Sequence, residues 1–423
     1  MRPRAIAYLL SAYPDFHETF VAREVEGMRQ QGIDLRIYSL KPPPEGAYLY
    51  PDHARLVRYL PFLFDGRVIG GLLATLLRHP LRSLKALGWL AGTYASRPME
   101  LAKSLAIFPK TAAIARELEG SDFAVHAHWA TIPTSAAVVI QILSDRPFSI
   151  TAHAWDIYLT GPDELRDKIQ RSSGLVTCTG YNVEYLRTLL RADQQTKVNL
   201  NYHGIDMGRM KLTQRQRQPG EPLEVVAVGR LVEQKGFPFL IEAVGMAAQA
   251  GQQVNVTLVG DGPMQAELEA LAERHGVRER IRFAGRVAHA QTIAAMCAAD
   301  VLIAPSVIAK NGDRDGIPNV TLEAMACGLP IIGTAVSGIP EVVITGRTGH
   351  LVPPENAQAI AAAIAALYQD PVKCREMGAN SRALIEQRFM IENNVGELID
   401  HLGQFHRSHA AQATAAGCGC GGH

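Results

Sequence analysis

Apolar positions along this chain alternate between short continuous runs and longer stretches with helical spacing. Residues 4–11 (RAIAYLLS) are one such run; residues 17–31 then carry Phe20, Val25 and Met28 at helical spacing, Gly32 ends that stretch, and IDLRIYSL begins a second run. Run, helix and run is the opening of a βαβ unit, which favours a parallel sheet. Residues 42–65 are a Pro/Gly/Tyr-rich connection and residues 66–118 read as helical. Further strands are predicted at 124–129, 147–153, 174–180 and 197–204, each beside a plausible helix, which makes one α/β domain of residues 1–207. Residues 208–222 are polar with Pro and Gly at their end and read as a linker. The βα rhythm then restarts with LEVVAVG and FPFLIEAVGMAAQAG and continues through QVNVTLVGDG, IRFAGRV, VLIAPS, PIIGTAV and GHLVPP, giving a second domain over 223–390. A closing helix is expected at 391–407, and the Ala/Gly/His/Cys-rich residues 408–423 are expected to be disordered.

Composition narrows the classes. The 423 residues are 47% hydrophobic and 20% charged, which is ordinary globular usage and excludes a mostly disordered chain. Lys+Arg 42 against Asp+Glu 41 argues against a bulk nucleic-acid binder. The balance hides an asymmetry: residues 1–207 carry +3 and the remainder −2. Within the first half, residues 66–118 hold eight Lys/Arg against Glu100 and Glu117, with Leu, Trp and Ile between them. That stretch reads either as solvated outer faces of ordinary helices or as a face for an anionic membrane. Six cysteines without a CxxC pair argue against a disulfide framework and for a reducing cytoplasm. The longest apolar run near a span, Val68 to Leu77, stops at Arg78 after ten residues, short of the roughly 20 a membrane helix needs. The N-terminus resembles a short signal peptide in pattern, but a buried first strand is preferred because a chemically dense stretch follows at once.

Candidate chemistry concentrates in 311–341, NGDRDGIPNVTLEAMACGLPIIGTAVSGIPE. A helix is expected to start near Pro318–Asn319, with Gly316 to Asn319 at its amino end, where backbone N–H groups and the helix dipole favour an anion. Asp315 and Glu323 bracket this turn, and Glu323 is placed to accept two hydroxyls of a diol such as a ribose. The alternative is an ordinary βα loop. GRLVEQKG at 229–236 follows a strand, so Arg230 and Lys235 fall at a strand's carboxyl end, where open α/β sheets bind ligands. Arg grips phosphate through its fork and Lys as a point charge; a solvated basic loop is the alternative. VGDGP at 259–263 resembles half a dinucleotide fingerprint, but GxGxxG is absent. His126, His128, His153 and Asp156 lie at predicted strand ends; HAH has no third ligand at metal spacing, so no metal site is assigned. In YPDFHETF at 13–20, Glu18 and Thr19 are candidates for polar contacts at a helix start, or a capping pair.

Taken together, the ordered series YPxxxETF, TAHxxD, HGID, VGRLVxxKG, VGDGP, FxGxV, APS and DGIPNVxLEAMACGLPIIGTxVSGIPE resembles the retaining glycosyltransferases of family four, and within them the exopolysaccharide and colanic-acid type. The resemblance spans roughly residues 5–390; 42–120 and the tail carry no part of it. It implies an α/β GT-B fold, two Rossmann-like domains facing a central cleft, with the C-terminal helix crossing back to the first domain. It implies that Gly229, Arg230 and Lys235 hold the donor diphosphate, that Gly316, Ile317, Pro318, Asn319 and Val320 offer backbone groups to sugar and phosphate, and that Val287 brackets the base. Glu323 would bind the ribose, Asp315 the donor sugar, and His153 would lie near the reacting carbon. Glu18, Thr19, His128 and Asp156 fall on the acceptor side. The implied donor is a UDP- or GDP-sugar used without a metal or other cofactor, and the implied acceptor is lipid-linked or an oligosaccharide. The implied location is cytoplasmic, peripheral on the inner face of the membrane, with no nucleic-acid partner. Asp315 stands where the family commonly has Glu, and the N-terminal Gly-Gly loop is missing. A nucleotide-sugar-binding protein without turnover, an epimerase and a Rossmann oxidoreductase are the competing classes.

Overall fold

The computed structural model describes residues 2–15, 19–42, 50–61, 65–210, 212 and 215–418, with side chains as far as 407. The chain divides into two compact units, residues 1–178, 183–201 and 394–423, and residues 179–182 and 202–393.

The first unit is built on strands β1 (Ala5–Leu10), β2 (Asp34–Ser39), β3 (Val57–Tyr59), β4 (Ala124–His128), β5 (Phe148–Ala152), β6 (Gly174–Thr177) and β7 (Val198–Leu200), in the order β3-β2-β1-β4-β5-β6-β7. Every neighbouring pair is parallel. Strands covered on both faces need apolar residues at every position rather than at alternate ones. That is why Ile6–Leu10 is apolar and buried without a break; Phe148–Ala152 is equally buried, and its Ser149 and Thr151 hydroxyls are taken up by His126. The predicted helical region resolves into three helices, Gly66–Arg78, Pro80–Tyr94 and Pro98–Glu117. Asp65 caps the first through Arg67 N, and proline at the first position starts each of the other two, where its missing N–H is no loss.

The second unit has β8 (Leu223–Val228), β9 (Val254–Val259), β10 (Ile281–Gly285), β11 (Val301–Ala304), β12 (Ile331–Thr334) and β13 (Gly349–Val352), again all parallel, in the order β10-β9-β8-β11-β12-β13. Both sheets therefore contain the doubly wound Rossmann order, with the reversal between β1 and β4 in one and between β8 and β11 in the other.

Two boundaries differ from the sequence expectation. Residues 208–222 lie inside the second unit rather than between domains. Their polarity is satisfied there. Arg217 is buried, donating to Leu367 O and Tyr368 O at 2.6 and 3.1 Å, and Arg215 binds Asp300 at 2.7 Å. The last helix runs Ile391–Cys418, past residue 407, where a disordered tail is expected. Its Ala-rich end has high helix propensity and loses little by continuing. From Asn394 onward this helix belongs to the first unit. Val395, Leu398, Ile399, Leu402 and Phe405 form its buried stripe. A Cβ on Gly27 would stand 2.9 Å from Val395, and one on Gly174 would stand 2.2 Å from the Phe405 ring, so both glycines make room for the helix. Arg2 and Asp400 pair at 2.7 Å on the rim. Among the described residues no helix is long and apolar enough to cross a membrane.

Phe405→Ala empties the space beneath Gly174 and is expected to cost about 3 kcal/mol. Chemical denaturation followed by circular dichroism checks this: an unchanged midpoint would mean that the last helix contributes nothing to the first unit.

Candidate active site

In the second unit the chain leaves β8 at Gly229 and β11 at Pro305, the two sides of the sheet's reversal point. Three loops converge there because glycine lets their backbones touch. A Cβ on Gly260 (φ 132°) would lie 2.0 Å from Gly229 O, one on Gly262 2.6 Å from Leu231 O, and one on Gly236 (φ 62°) 1.9 Å from Pro305 O. The VGDGP glycines thus pack loop on loop, an explanation that needs no dinucleotide.

This convergence brings Lys235 to Asp315, Nζ to Oδ1 at 2.7 Å, with Ser306 Oγ donating to Asp315 Oδ2 at 2.8 Å. The pair is largely buried, with 17% and 16% of the two side chains exposed. Gln234 Nε2 donates to Asp313 Oδ2 at 2.8 Å, and burial pushes the Asp313 carboxyl above its ordinary range. Arg230 stands exposed at the end of β8. The helix Asn319–Ala326 starts where expected, with Pro318 at its cap. Gly316, Ile317 and Pro318 are buried, and Asn319 and Val320 half-buried. Asn319 Oδ1 meets His203 Nδ1 at 3.1 Å, and the Thr321 hydroxyl in the first turn is buried with no partner among the described residues. Glu323 is nearly closed off and pairs with His289 Nε2 at 3.2 Å. Val287 is half-buried just beyond β10. Lys235, Asp315 and Ser306 thus form one cluster. Ser306, His289 and His203 received no role from sequence; the APS and HGID motifs were the available signal for two of them.

The first unit has its own polar cluster at the ends of β1, β4 and β5. Tyr8 donates to Glu24 Oε1 at 2.7 Å, and the same oxygen meets His128 Nε2 at 3.0 Å. With Nε2–H facing the carboxylate, His128 Nδ1 is left as the acceptor toward His153 Nε2 at 3.4 Å, and the two rings stack. His153 is boxed by Trp129 at 4.2 Å and Phe20 at 4.9 Å, and Trp129 stacks on the part-exposed Trp155. His126 is consumed internally by Ser149 and Thr151, and burial holds it well below its ordinary value. Thr19 opens the helix Thr19–Gln30; Glu18 lies outside the described residues.

His128 and Asp156, expected on the acceptor side, are fully buried and reach no solvent. Asp156 accepts backbone N–H groups from Ala130, His153 and Ala154 at 2.8, 3.0 and 3.0 Å. It ties the end of β4 to the end of β5.

Residues 222–370 match the family described as "Glycosyl transferases group 1". Over these residues the chain is similar to group 1 glycosyl transferases. WcaL of Salmonella typhimurium, a protein named for colanic acid biosynthesis, is 38% identical over 170 residues, 40% of this chain and 41% of that one. The amylovoran biosynthesis glycosyltransferase AmsK of Erwinia amylovora is 32% identical over 193 residues, 46% and 47% of the two chains. The matched parts span less than half the length of these relatives. Among solved structures, Anabaena Alr3699/HepE in complex with UDP and glucose superposes with a TM-score of 0.69 at 20% identity, covering 95% of this chain and 99% of that one. Sucrose-phosphate synthase from Thermosynechococcus elongatus gives 0.71 at 20% identity over 97% and 100%. With two Rossmann-like parallel sheets, these likenesses assign the GT-B fold class. The Lys235–Asp315 cluster and the Asn319 helix both fall inside the matched residues 222–370.

Burial pushes the Asp156 carboxyl from 3.8 up to about 6 against its three N–H donors. A carboxyl raised by folding contributes stability that is full below its unfolded value and lost as pH rises through the folded one. Relative to Asp156→Asn, the wild-type protein is expected to lose roughly 2 kcal/mol between pH 4.5 and 7.5. Paired denaturant titrations measure it; a pH-independent difference would overturn the burial argument.

Proposed function

We propose that the protein is a retaining glycosyltransferase that moves a hexosyl group from a nucleotide-diphosphate sugar to a hydroxyl of a lipid-linked or oligosaccharide acceptor, in the synthesis of an exopolysaccharide or other cell-surface glycan. The observation that carries this is the cluster of Lys235, Asp315 and Ser306 at the reversal point of the second sheet, inside the matched residues 222–370. The relatives named for colanic acid and amylovoran synthesis support the glycan class. The neighbour solved with UDP and glucose and the relative named as GDP-mannose-dependent both support a nucleotide-sugar donor, a UDP- or GDP-sugar.

In this reading Arg230 and Lys235 meet the diphosphate, and Asp315, already bonded to Lys235, faces the donor sugar. Charge develops on the diphosphate as the sugar–phosphate bond breaks. Fixed cations and the N–H groups of the Asn319 helix would stabilise it without reorganising, and without a metal. Glu323, held by His289, is the group for the ribose, and Val287 borders the base. The acceptor hydroxyl attacks from the face the leaving group departs, which retains configuration without a covalent intermediate. His153, fixed from behind by Asp156 and His128, is the first unit's contribution near the reacting carbon. The enzyme works in the cytoplasm, peripheral on the inner face of the membrane. Binding of a nucleotide sugar without transfer to any acceptor would favour a non-enzymatic binder instead.

Lys235→Ala and Glu323→Ala are each expected to lower kcat/KM by about 100-fold or more, an electrostatic and a positioning loss respectively. Radiolabelled sugar transfer measures the rate, and a thermal melt reports folding. Full activity in either folded variant sinks the assignment. A thermal-shift screen of nucleotide sugars identifies the donor, since a ligand bound to the folded state raises the melting temperature.

A further inference from the structure

The helices Gly66–Arg78 and Pro80–Tyr94 bury one apolar face and leave a second one outside. Inward they present Val68, Gly71 and Thr75 on the first and Ser83, Ala86, Leu90 and Tyr94 on the second. Gly71 packs so closely that an added Cβ would stand 2.7 Å from Ala113. Outward they present Ile69, Leu73, Leu77, Leu81 and Leu84, exposed by 41, 54, 83, 79 and 65%. Soluble helices bury their leucines and show charge to water. A contiguous apolar face of this kind marks a surface that meets something else.

The charge says what that is. Residues 66–94 contain Arg67, Arg78, Arg82 and Lys85 and no Asp or Glu. The two most exposed of these leucines, Leu77 and Leu81, flank the corner between the helices, with Arg78 beside them at 72% exposure. Arg78 lies 3.7 Å from Glu119, and Arg82 pairs with Asp145, both at exposed positions where an ion pair is weak and readily exchanged for phosphate. A second copy is a poor occupant, because a two-fold contact would set these cations against their own equivalents. At 1.5 Å per residue a helix of 13 residues is about 20 Å long, short of the roughly 30 Å hydrocarbon core, so the seating is on the surface.

We propose that the corner at residues 77–81 docks on an anionic lipid bilayer, with Leu77 and Leu81 entering among the headgroups and Arg78, Arg82 and Lys85 meeting their phosphates. The surface would bring the proposed enzyme to a lipid-linked acceptor, but its existence does not depend on that reaction, and its test needs neither donor nor acceptor.

The test is co-sedimentation of the full chain with vesicles of phosphatidylcholine alone and of phosphatidylcholine mixed with phosphatidylglycerol. Binding to the anionic vesicles is expected, weakening as salt rises, and roughly tenfold weaker on the neutral ones. The Leu77→Ser/Leu81→Ser double variant and, separately, Arg78→Glu/Lys85→Glu are each expected to reduce anionic binding by about tenfold or more with an unchanged melting temperature. All four side chains are exposed, so each pair leaves the core intact, and either pair alone suffices if the other fails to fold. Three results would overturn the proposal: wild-type protein that stays in the supernatant with anionic vesicles; binding that both variants retain; or a dimer in analytical ultracentrifugation that the leucine variant abolishes while vesicles capture nothing.

Discussion

A parallel sheet whose order reverses between two neighbouring strands must send its connections away in opposite directions, and the gap left at their carboxyl ends cannot be filled by either. The chain has this reversal twice. Around β8 and β11 the gap receives Gly229, Lys235, Ser306 and Asp315; around β1 and β4 it receives Tyr13, His128 and Trp129. The chemistry of both units follows from that constraint. Residues 80 positions apart become hydrogen-bonded neighbours, as Lys235 and Asp315 do, because the adjacent strands β8 and β11 deliver their loops to one edge.

The two gaps are furnished differently. In the second unit the oppositely charged Lys235 and Asp315 keep 17% and 16% of their side chains exposed, and Ser306 holds the second carboxylate oxygen. In the first, Glu24, His128, His153 and Asp156 are largely buried and joined by hydrogen bonds to one another or to backbone. Such a network fixes geometry. The His153 ring, at a strand end, is packed by Trp129 and Phe20.

The strands were legible in the sequence because burial on both faces demands unbroken apolar runs, and the helix at Asn319 was legible because Pro and Gly punctuate its start. Arg230 and Lys235 were readable as candidates from their place after a strand, and Asp315 and Glu323 from bracketing a helix start. The bond between Lys235 and Asp315 was not, since nothing in local pattern reports a contact across two connections. Asp156 was placed on the acceptor side by the resemblance; its burial against three backbone N–H donors is not visible in local pattern. The polarity of residues 208–222 suggested a solvated joint, and burial of Arg217 against two carbonyls is invisible to composition. Inward packing on Gly71 and Ser83, which turns leucines outward, is equally hidden from a helical periodicity count.

The last helix belongs to the unit made from the first residues of the chain. A ribosome therefore delivers the piece that fills the space beside Gly27 and Gly174 only after the whole second unit has been synthesised. The first unit is therefore closed by joining two stretches of chain that lie on either side of the second unit in sequence.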